Sequence, residues 1–196
     1  MPALDITVDG AKVATVSTDG LDVLGVNVGG TQVDEELASL DVSGGSYPEV
    51  GTSTYLTWVA LTPLHAGQQI GVTFRESGQS SHSGKTIEEL FPDEPTTGQT
   101  DFTPTAELFK ELRAKPKLRE KFSFRLVSSS GASFVGETSL AEHGFGFTVL
   151  WNSVHPERAR VSLRAYTLDS LESRSPFNNL FAEKITYGGS VEFHVA

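Results

Sequence analysis

Leu64-His65-Ala66-Gly67-Gln68-Gln69-Ile70-Gly71-Val72-Thr73-Phe74 and Ile185-Thr186-Tyr187-Gly188-Gly189-Ser190-Val191-Glu192-Phe193-His194-Val195 carry one pattern at two places, 121 positions apart. In each, a glycine turn feeds a run whose apolar residues recur at every second position, the spacing that puts them on one face of a β-strand. The order of elements is kept on moving outward from this pair. Leu4-Asp5-Ile6-Thr7-Val8 alternates apolar and polar, and Phe122-Ser123-Phe124-Arg125-Leu126 alternates in the same way 118 positions later. Small turn segments follow both, Asp9-Gly10-Ala11 and Ser128-Ser129-Ser130-Gly131-Ala132. Asp19-Gly20 ahead of Val23 to Val28 is answered by His143-Gly144 ahead of Phe145 to Trp151. Ala38-Ser39-Leu40-Asp41-Val42 is echoed by Val161-Ser162-Leu163-Arg164-Ala165 at an offset of 123.

Shared order and near-constant offset point to an internal duplication. The predicted fold is all-β: an antiparallel β-sandwich built from two similar halves, with one helix-containing insertion between them. The divisions are residues 1–76 for the first half, 77–121 for a loop-plus-helix connection, and 122–196 for the second half. The halves could close two sandwiches or share one. A β unit of about 70 residues without disulfides is marginal alone, so extensive packing between halves is expected.

The connection differs in kind from what flanks it. Glu76 to Gln99 is rich in Ser, Gly, Pro, Thr and acidic residues and reads as an exposed loop. A short helical turn is predicted at Thr86-Ile87-Glu88-Glu89-Leu90-Phe91, stopped by Pro92. A longer helix follows, with Thr103 ahead of Pro104 at a first helical position and Glu107 in an acidic first turn. Leu108, Phe109 and Leu112 form its apolar stripe, and Pro116 marks its end.

The 196 residues include no cysteine, which removes disulfides, thiolate metal sites and cysteine nucleophiles. No window approaches a membrane-spanning apolar run. Met1-Pro2-Ala3-Leu4-Asp5-Ile6 lacks the basic and apolar regions of a signal peptide, so a complete cytoplasmic chain is expected. The net charge of −10 disfavours nucleic acid, whose binding depends on Lys and Arg neutralising phosphates. That charge is unevenly placed: residues 1–100 hold 14 acidic and three basic residues, whereas residues 101–196 hold 11 acidic and 12 basic. Such asymmetry fits a partner-binding face or a contact between halves, as well as simple solubility. The basic run Lys110, Arg113, Lys115, Lys117, Arg119, Lys121 and Arg125 could dock on the acidic first half.

Chemical motifs are few. Gly78-Gln79-Ser80-Ser81-His82-Ser83-Gly84-Lys85-Thr86 resembles a phosphate-binding loop but has five residues between its glycines, where that loop needs four. His65, His82, His143, His155 and His194 do not pair at metal-ligand spacing. Asp9, Asp19 and Asp22 could converge on calcium only if their loops share one end of the sandwich. Ser, His and Asp occur without a nucleophile elbow. The sequence therefore predicts no catalytic, cofactor-binding or metal-ligating residues. Tyr47, Tyr55, Trp58, Trp151, Tyr166 and Tyr187 would stack sugars if exposed and fill the core if buried; Trp58 and Trp151 lie in apolar runs and are assigned to the core.

Residues 4–76 resemble small uncharacterised bacterial β-sandwich proteins of about one hundred residues, a size typical of one domain. The resemblance rests on Asp9-Gly10, Gly20, Val23-Leu24, Tyr55-Leu56-Thr57-Trp58, Leu64-His65-Ala66-Gly67 and Ile70-Gly71-Val72. It implies a β fold and a bacterial origin and supplies no activity. The expected function is that of a non-enzymatic bacterial binding or protein-interaction protein, with accessory and immunity roles among those it fits. The partner would be a protein, bound through the acidic first half or the 77–121 insertion. The alternative is a carbohydrate- or small-ligand-binding β-sandwich module.

Overall fold

The computed structural model describes residues 1–93 and 106–196. The first half supplies strands β1 (Ala3–Val8), β2 (Ala11–Ser17), β3 (Val23–Thr31), β4 (Ala38–Ser46), β5 (Thr54–Leu64) and β6 (Gln69–Arg75). The second supplies β7 (Ser123–Ser128), β8 (Ser133–Glu137), β9 (Gly144–Asn152), β10 (Arg158–Tyr166), β11 (Asn178–Thr186) and β12 (Ser190–Val195). Helices α1 (Ile87–Leu90) and α2 (Ala106–Ala114) lie between the halves, and α3 (Leu168–Glu172) follows β10.

Alternation puts the apolar side of strands such as β6, β7, β9 and β12 inward, and two antiparallel six-stranded sheets close over that common interior. Their orders are β2-β1-β6-β12-β7-β8 and β11-β10-β9-β3-β4-β5. Each half therefore places three strands in each sheet, and the halves join at β6–β12 and at β3–β9. Pairing at these seams is reciprocal. Ile70 faces Phe193 and Val72 faces Val191, with Gly71 opposite Glu192 between them. Val26 faces Val149 and Val28 faces Phe147, with Asn27 opposite Thr148 between them. At an offset of 121, exchanging the halves returns the same pairs, so a local two-fold axis passes through both seams. Of the two arrangements left open by the sequence, the chain adopts one shared sandwich.

The register corrects two of the sequence alignments. Leu4 pairs with Phe74 and Phe124 pairs with Val195, so Leu4 corresponds to Phe124 and not to Phe122. Val26–Val42 corresponds to Phe147–Leu163, so Val42 matches Leu163 and not Ala165. Both slips are of two residues, which leaves every side chain on its proper face and so leaves the alternation unchanged. Gly20 and Gly144 are not equivalent: Gly20 turns at φ +73°, whereas Gly144 opens β9. Gly67 and Gly188 do match, in the turns before β6 and β12, with φ of +88° and +81°. In that left-handed region a Cβ is strained and glycine is not.

One continuous core spans both halves. Ile6, Ile70, Val72, Phe74, Phe124, Leu126, Val191, Phe193 and Val195 are buried as the alternation predicts, while Val8, at the end of β1, is only half-buried. The Phe193 ring stacks on Phe147 at 4.3 Å and lies 5.9 Å from Phe124 and 6.1 Å from Phe145. Trp151 is buried and Trp58 packs partly buried against the core, as assigned.

The connection is tied down at both described ends. Residues 77–86 run from the β2 edge of one sheet to the β5 edge of the other. The Ser81 amide donates to the Thr15 carbonyl at 2.8 Å, and the Ser17 amide donates to Ser80 Oγ at 3.0 Å. Lys85 and Thr57 exchange two backbone bonds of 2.9 Å. Exposed strand edges invite pairing with other chains, and this strap covers two of them. At α1, Thr86 and Glu89 form a capping box, and the helix ends before Pro92. Helix α2 buries Phe109 and half-buries Leu108 and Leu112; the helix start read at Thr103 and Pro104 lies outside the described residues. Beyond α2, Arg119 donates to the carbonyls of Thr31, Asp34 and Glu35. The basic run thus meets the acidic first half, but through carbonyl oxygens rather than carboxylates. No helix among the described residues is long and apolar enough to cross a membrane.

Candidate functional site

The motifs singled out in the sequence are dispersed by the fold. The Gly78–Gly84 stretch spends backbone amides on the strap: Gly78 bonds Met1, Ser81 bonds Thr15 and Lys85 bonds Thr57. A phosphate cradle needs such amides free and curled together. Asp9 instead receives the amide of Gln69 and the side chain of Gln68 in the turn before β6. Asp22 receives the Tyr47 amide and the Ser153 hydroxyl near the start of β3. The turn holding Asp9 and the one holding Asp19 and Asp22 lie at opposite ends of β2, so the calcium arrangement does not form. Among the described residues no group of three His, Asp or Glu side chains could hold a metal ion. His82 is absorbed by Ser81 and the Trp58 carbonyl. Tyr187 tilts against Phe74 at the β11–β12 turn, far along the chain from exposed Tyr47 and Tyr55.

Two features remain with chemistry to offer. The first is the outer face of the sheet β11-β10-β9-β3-β4-β5. On β10, Ala159, Val161, Leu163 and Ala165 are buried, so the alternate residues Arg158, Arg160, Ser162 and Arg164 lie on the outer face. Arg160 is paired in register with Lys184 of β11 and Leu150 of β9. Two shallow depressions flank Arg160. One, of about 230 Å³, includes Leu150, His155, Arg158 and Lys184; the other, of about 350 Å³, includes Arg164, Phe177 and Asn179. No carboxylate lines either. Among the described residues the side chains of Arg160, Arg164 and Lys184 have no hydrogen-bond or ion-pair partner, whereas Lys12, Arg75, Arg113 and Lys121 are all engaged by carboxylates.

The corresponding positions of the first half reverse this character. At the 121-residue offset Arg160, Ser162 and Arg164 correspond to Ser39, Asp41 and Ser43. There Tyr55 Oη donates to Ser43 Oγ, which donates to Asp41 Oδ2, both at 2.7 Å. Tyr55 and Tyr47 are about half exposed; Tyr55 is opposite Gly45 in the register, and a Cβ at Gly45 would lie 2.9 Å from Tyr47 Oη. One face therefore carries unpaired cations at β10–β11 and a carboxylate–tyrosine array at β4–β5. β10 and β4 are three strand spacings apart, roughly 14 Å.

The second feature is a cleft of about 240 Å³ where the connection meets both halves. Leu112, Lys115 and Lys117 from the connection form one wall; Gln32 after β3, His143 before β9 and Thr167 before α3 form the others. Gln32 is fully buried. Its Nε2 donates to the Glu120 carbonyl, while its Oε1 is buried without a partner. His143 is buried too, and among the described residues its ring has no hydrogen-bond partner. Burial first, then the nearby Lys117 charge, push its pKa below the ordinary value, against an opposing pull from Asp34, which keeps the imidazole neutral near neutral pH. Arg113 at the rim is occupied by Asp169 at 2.7 Å and Glu172.

No family model, curated protein or solved structure matches the chain, so its faces have to be read from their own chemistry. The Arg158/Arg160/Arg164 alternation was present in the sequence as a period-two pattern; Lys184, Gln32 and His143 join their neighbours only through long-range pairing, and nothing local to them signals it.

Proposed function

We propose that this is a non-enzymatic binding protein, bacterial and cytoplasmic, that engages a protein partner through the charge-divided outer face of the β11-β10-β9-β3-β4-β5 sheet. An accessory or immunity role fits such a protein. The supporting observation is the unpaired set Arg160, Arg164 and Lys184, held on a rigid sheet in a chain of net charge −10. Arg160 faces Lys184 across β10–β11 and shares a depression with Arg164, so the three cations stand on one face, available to an acidic partner surface. Complementary charge of this kind raises association rates, confers salt sensitivity and fixes register. The carboxylate–tyrosine array at β4–β5 supplies the opposite sign and two amphipathic rings, residue types enriched where partners dock. The two similar halves suit this division: the inner face of each keeps the duplicated pattern, while the outer positions have diverged from Ser39 and Ser43 to Arg160 and Arg164.

The test is a pull-down from cells that make the protein, with wild type and Arg160→Glu/Arg164→Glu/Lys184→Glu as baits after both are shown to melt alike. A stoichiometric partner held by wild type, lost at high salt and lost by the variant is expected. Retention of every wild-type partner by the variant overturns the proposal. A second reading, carbohydrate binding, is favoured only by the exposed rings of Tyr47 and Tyr55 near Gly45. It predicts that Tyr55→Ala abolishes glycan binding while the charge reversal leaves it intact.

A further inference from the structure

Four strands form the edges of the two sheets: β2 and β8 of one, β5 and β11 of the other. An open edge presents unpaired N–H and C=O groups to any other strand, and folded chains blunt it with bulges, proline, lysine, inward charges or a cover. Three of the four edges are blunted in these ways. The β1–β2 register shifts at Ile6/Thr7, and β2 lies under the strap. The β4–β5 register shifts twice, and β5 contains Pro63 and exchanges two bonds with Lys85. The β10–β11 register shifts at Leu163/Arg164, and β11 carries exposed Lys184 and an inward Glu183 opposite buried Val161. β8, Ser133-Phe134-Val135-Gly136-Glu137, has none of these devices. Its register with β7 is unbroken, its only charge is on its last residue, and among the described residues it pairs with β7 alone.

The phase of the β7–β8 ladder fixes which groups this edge offers. The Ser128 amide donates to the Ala132 carbonyl at 2.8 Å, and the Thr138 amide donates to the Phe122 carbonyl at 2.9 Å. The even-numbered residues of β8 therefore bond to β7, and Ser133, Val135 and Glu137 turn their N–H and C=O groups outward. The first half shows what such a position takes. Phe134 faces Leu126 as Ala14 faces Ile6, so Val135 corresponds to Thr15. The Thr15 amide donates to Ser81 Oγ at 3.2 Å, and its carbonyl accepts the Ser81 amide at 2.8 Å. Val135 is 78% exposed, and among the described residues no extended segment meets it as the strap meets Thr15.

We propose that β8 pairs antiparallel with β8 of a second copy, about a two-fold axis through Val135, joining two β2-β1-β6-β12-β7-β8 sheets edge to edge. The strand is self-complementary in that register, which is what singles out its own copy as the occupant. Val135 meets its counterpart and exchanges both backbone bonds, Ser133 meets Glu137, and Phe134 meets Gly136, which offers no side chain to obstruct the ring. The two Glu137 carboxylates fall at opposite ends of the pairing, each beside its own Lys121, so like charges do not oppose each other. None of Arg160, Arg164 or Lys184 takes part, so the pairing stands apart from the outer-face proposal.

Sedimentation velocity of the full chain from about 1 to about 500 µM reads the association, because a short edge interface belongs at the weak end of specific contacts. A monomer–dimer equilibrium is expected, with its midpoint on the order of 100 µM. Val135→Lys sets two ammonium groups against each other across the axis and should abolish the dimer. Val154→Lys, at an equally exposed valine beyond β9, should leave it intact. In the wild type, amide exchange at Ser133, Val135 and Glu137 should slow as concentration rises, with Phe134 and Gly136 unchanged. Register is read in this cysteine-free chain by Val135→Cys, which should link to its counterpart on mild oxidation while Glu137→Cys should not. A chain that stays monomeric throughout, a dimer that survives Val135→Lys, or protection at those amides only when a different protein is bound overturns the proposal.

Discussion

Replacing Phe193 by alanine removes a ring with no exposed surface at the junction of the two halves. Phe193 pairs across the β6–β12 seam with Ile70, and its ring lies 4.3 Å from Phe147 at an interplanar angle of 3°. Phe-to-Ala changes in packed cores cost about 3–5 kcal/mol, and loss of an aromatic pair adds about 0.5–1.5 kcal/mol to simple burial. Phe124, Phe145 and Phe147 come from both sheets and cannot all collapse into the space, so the upper part of that range is expected, about 4–5 kcal/mol. For a chain of this size that corresponds to a fall in Tm of roughly 10–15 °C. The assay is equilibrium urea unfolding with two probes, tryptophan fluorescence and far-ultraviolet dichroism. Trp58 reports on the first half and Trp151 on the second, so one coincident transition is expected from a shared core. Val72→Ala, at the symmetry-related position, should cost about 2 kcal/mol because less apolar surface is lost. Val8→Ala, half-buried, should cost under about 1 kcal/mol. A loss below about 1.5 kcal/mol for Phe193→Ala, or separate transitions for the halves, would refute the shared-core reasoning.

Two further outcomes follow from local geometry. A Cβ at Gly84 would lie 2.8 Å from Leu56 Cβ and 2.9 Å from the Trp58 ring, so Gly84→Ala should lift the strap from β5. The expected cost is about 1–3 kcal/mol, with faster amide exchange at Thr57 and Lys85; unchanged exchange at both would count against the strap. Burial first, and then the Asp34 charge, push the Tyr166 phenol from its ordinary 10.0 up to about 12. The unfolded chain therefore loses this proton before the folded one does. Stability from this group is complete below pH 10 and declines as pH rises from 10 towards 12. Tyr166→Phe should flatten that decline, and an unchanged slope would show that Tyr166 is not its source.

The fold was legible because alternation is a local signal and repeats itself. Ile70-Gly71-Val72-Thr73-Phe74 and Val191-Glu192-Phe193-His194-Val195 declare their buried faces without help from any neighbour. Register was less legible, since moving Leu4 from Phe122 to Phe124 changes no face, and only the cross-strand bonds to Phe74 and Val195 distinguish the two. The strap read as a Ser/Gly loop because its partners, Thr15, Ser17 and Thr57, lie in other elements and its bonds are largely to backbone. The candidate sites were the least legible part. Arg158, Arg160 and Arg164 show their common face in sequence, but Lys184 reaches them only through β10–β11 pairing. Gln32 and His143 approach each other across the two halves, joined by the Gln32 amide bonding to the His143 carbonyl at 2.8 Å. A glutamine and a histidine more than a hundred positions apart carry no pattern that announces a shared cleft.

The central functional claim concerns one face, and a photo-crosslinker placed at Leu150, beside Arg160 in the sheet register, addresses it most directly. A matched crosslinker at Glu192, exposed on the other sheet, serves as the control. After irradiation in the cells that make the protein, position 150 should yield a discrete adduct with one protein partner. That adduct should disappear in the Arg160→Glu/Arg164→Glu/Lys184→Glu background, and position 192 should yield none. Adducts from position 192 alone, or adducts at 150 that survive the charge reversal, would contradict the account.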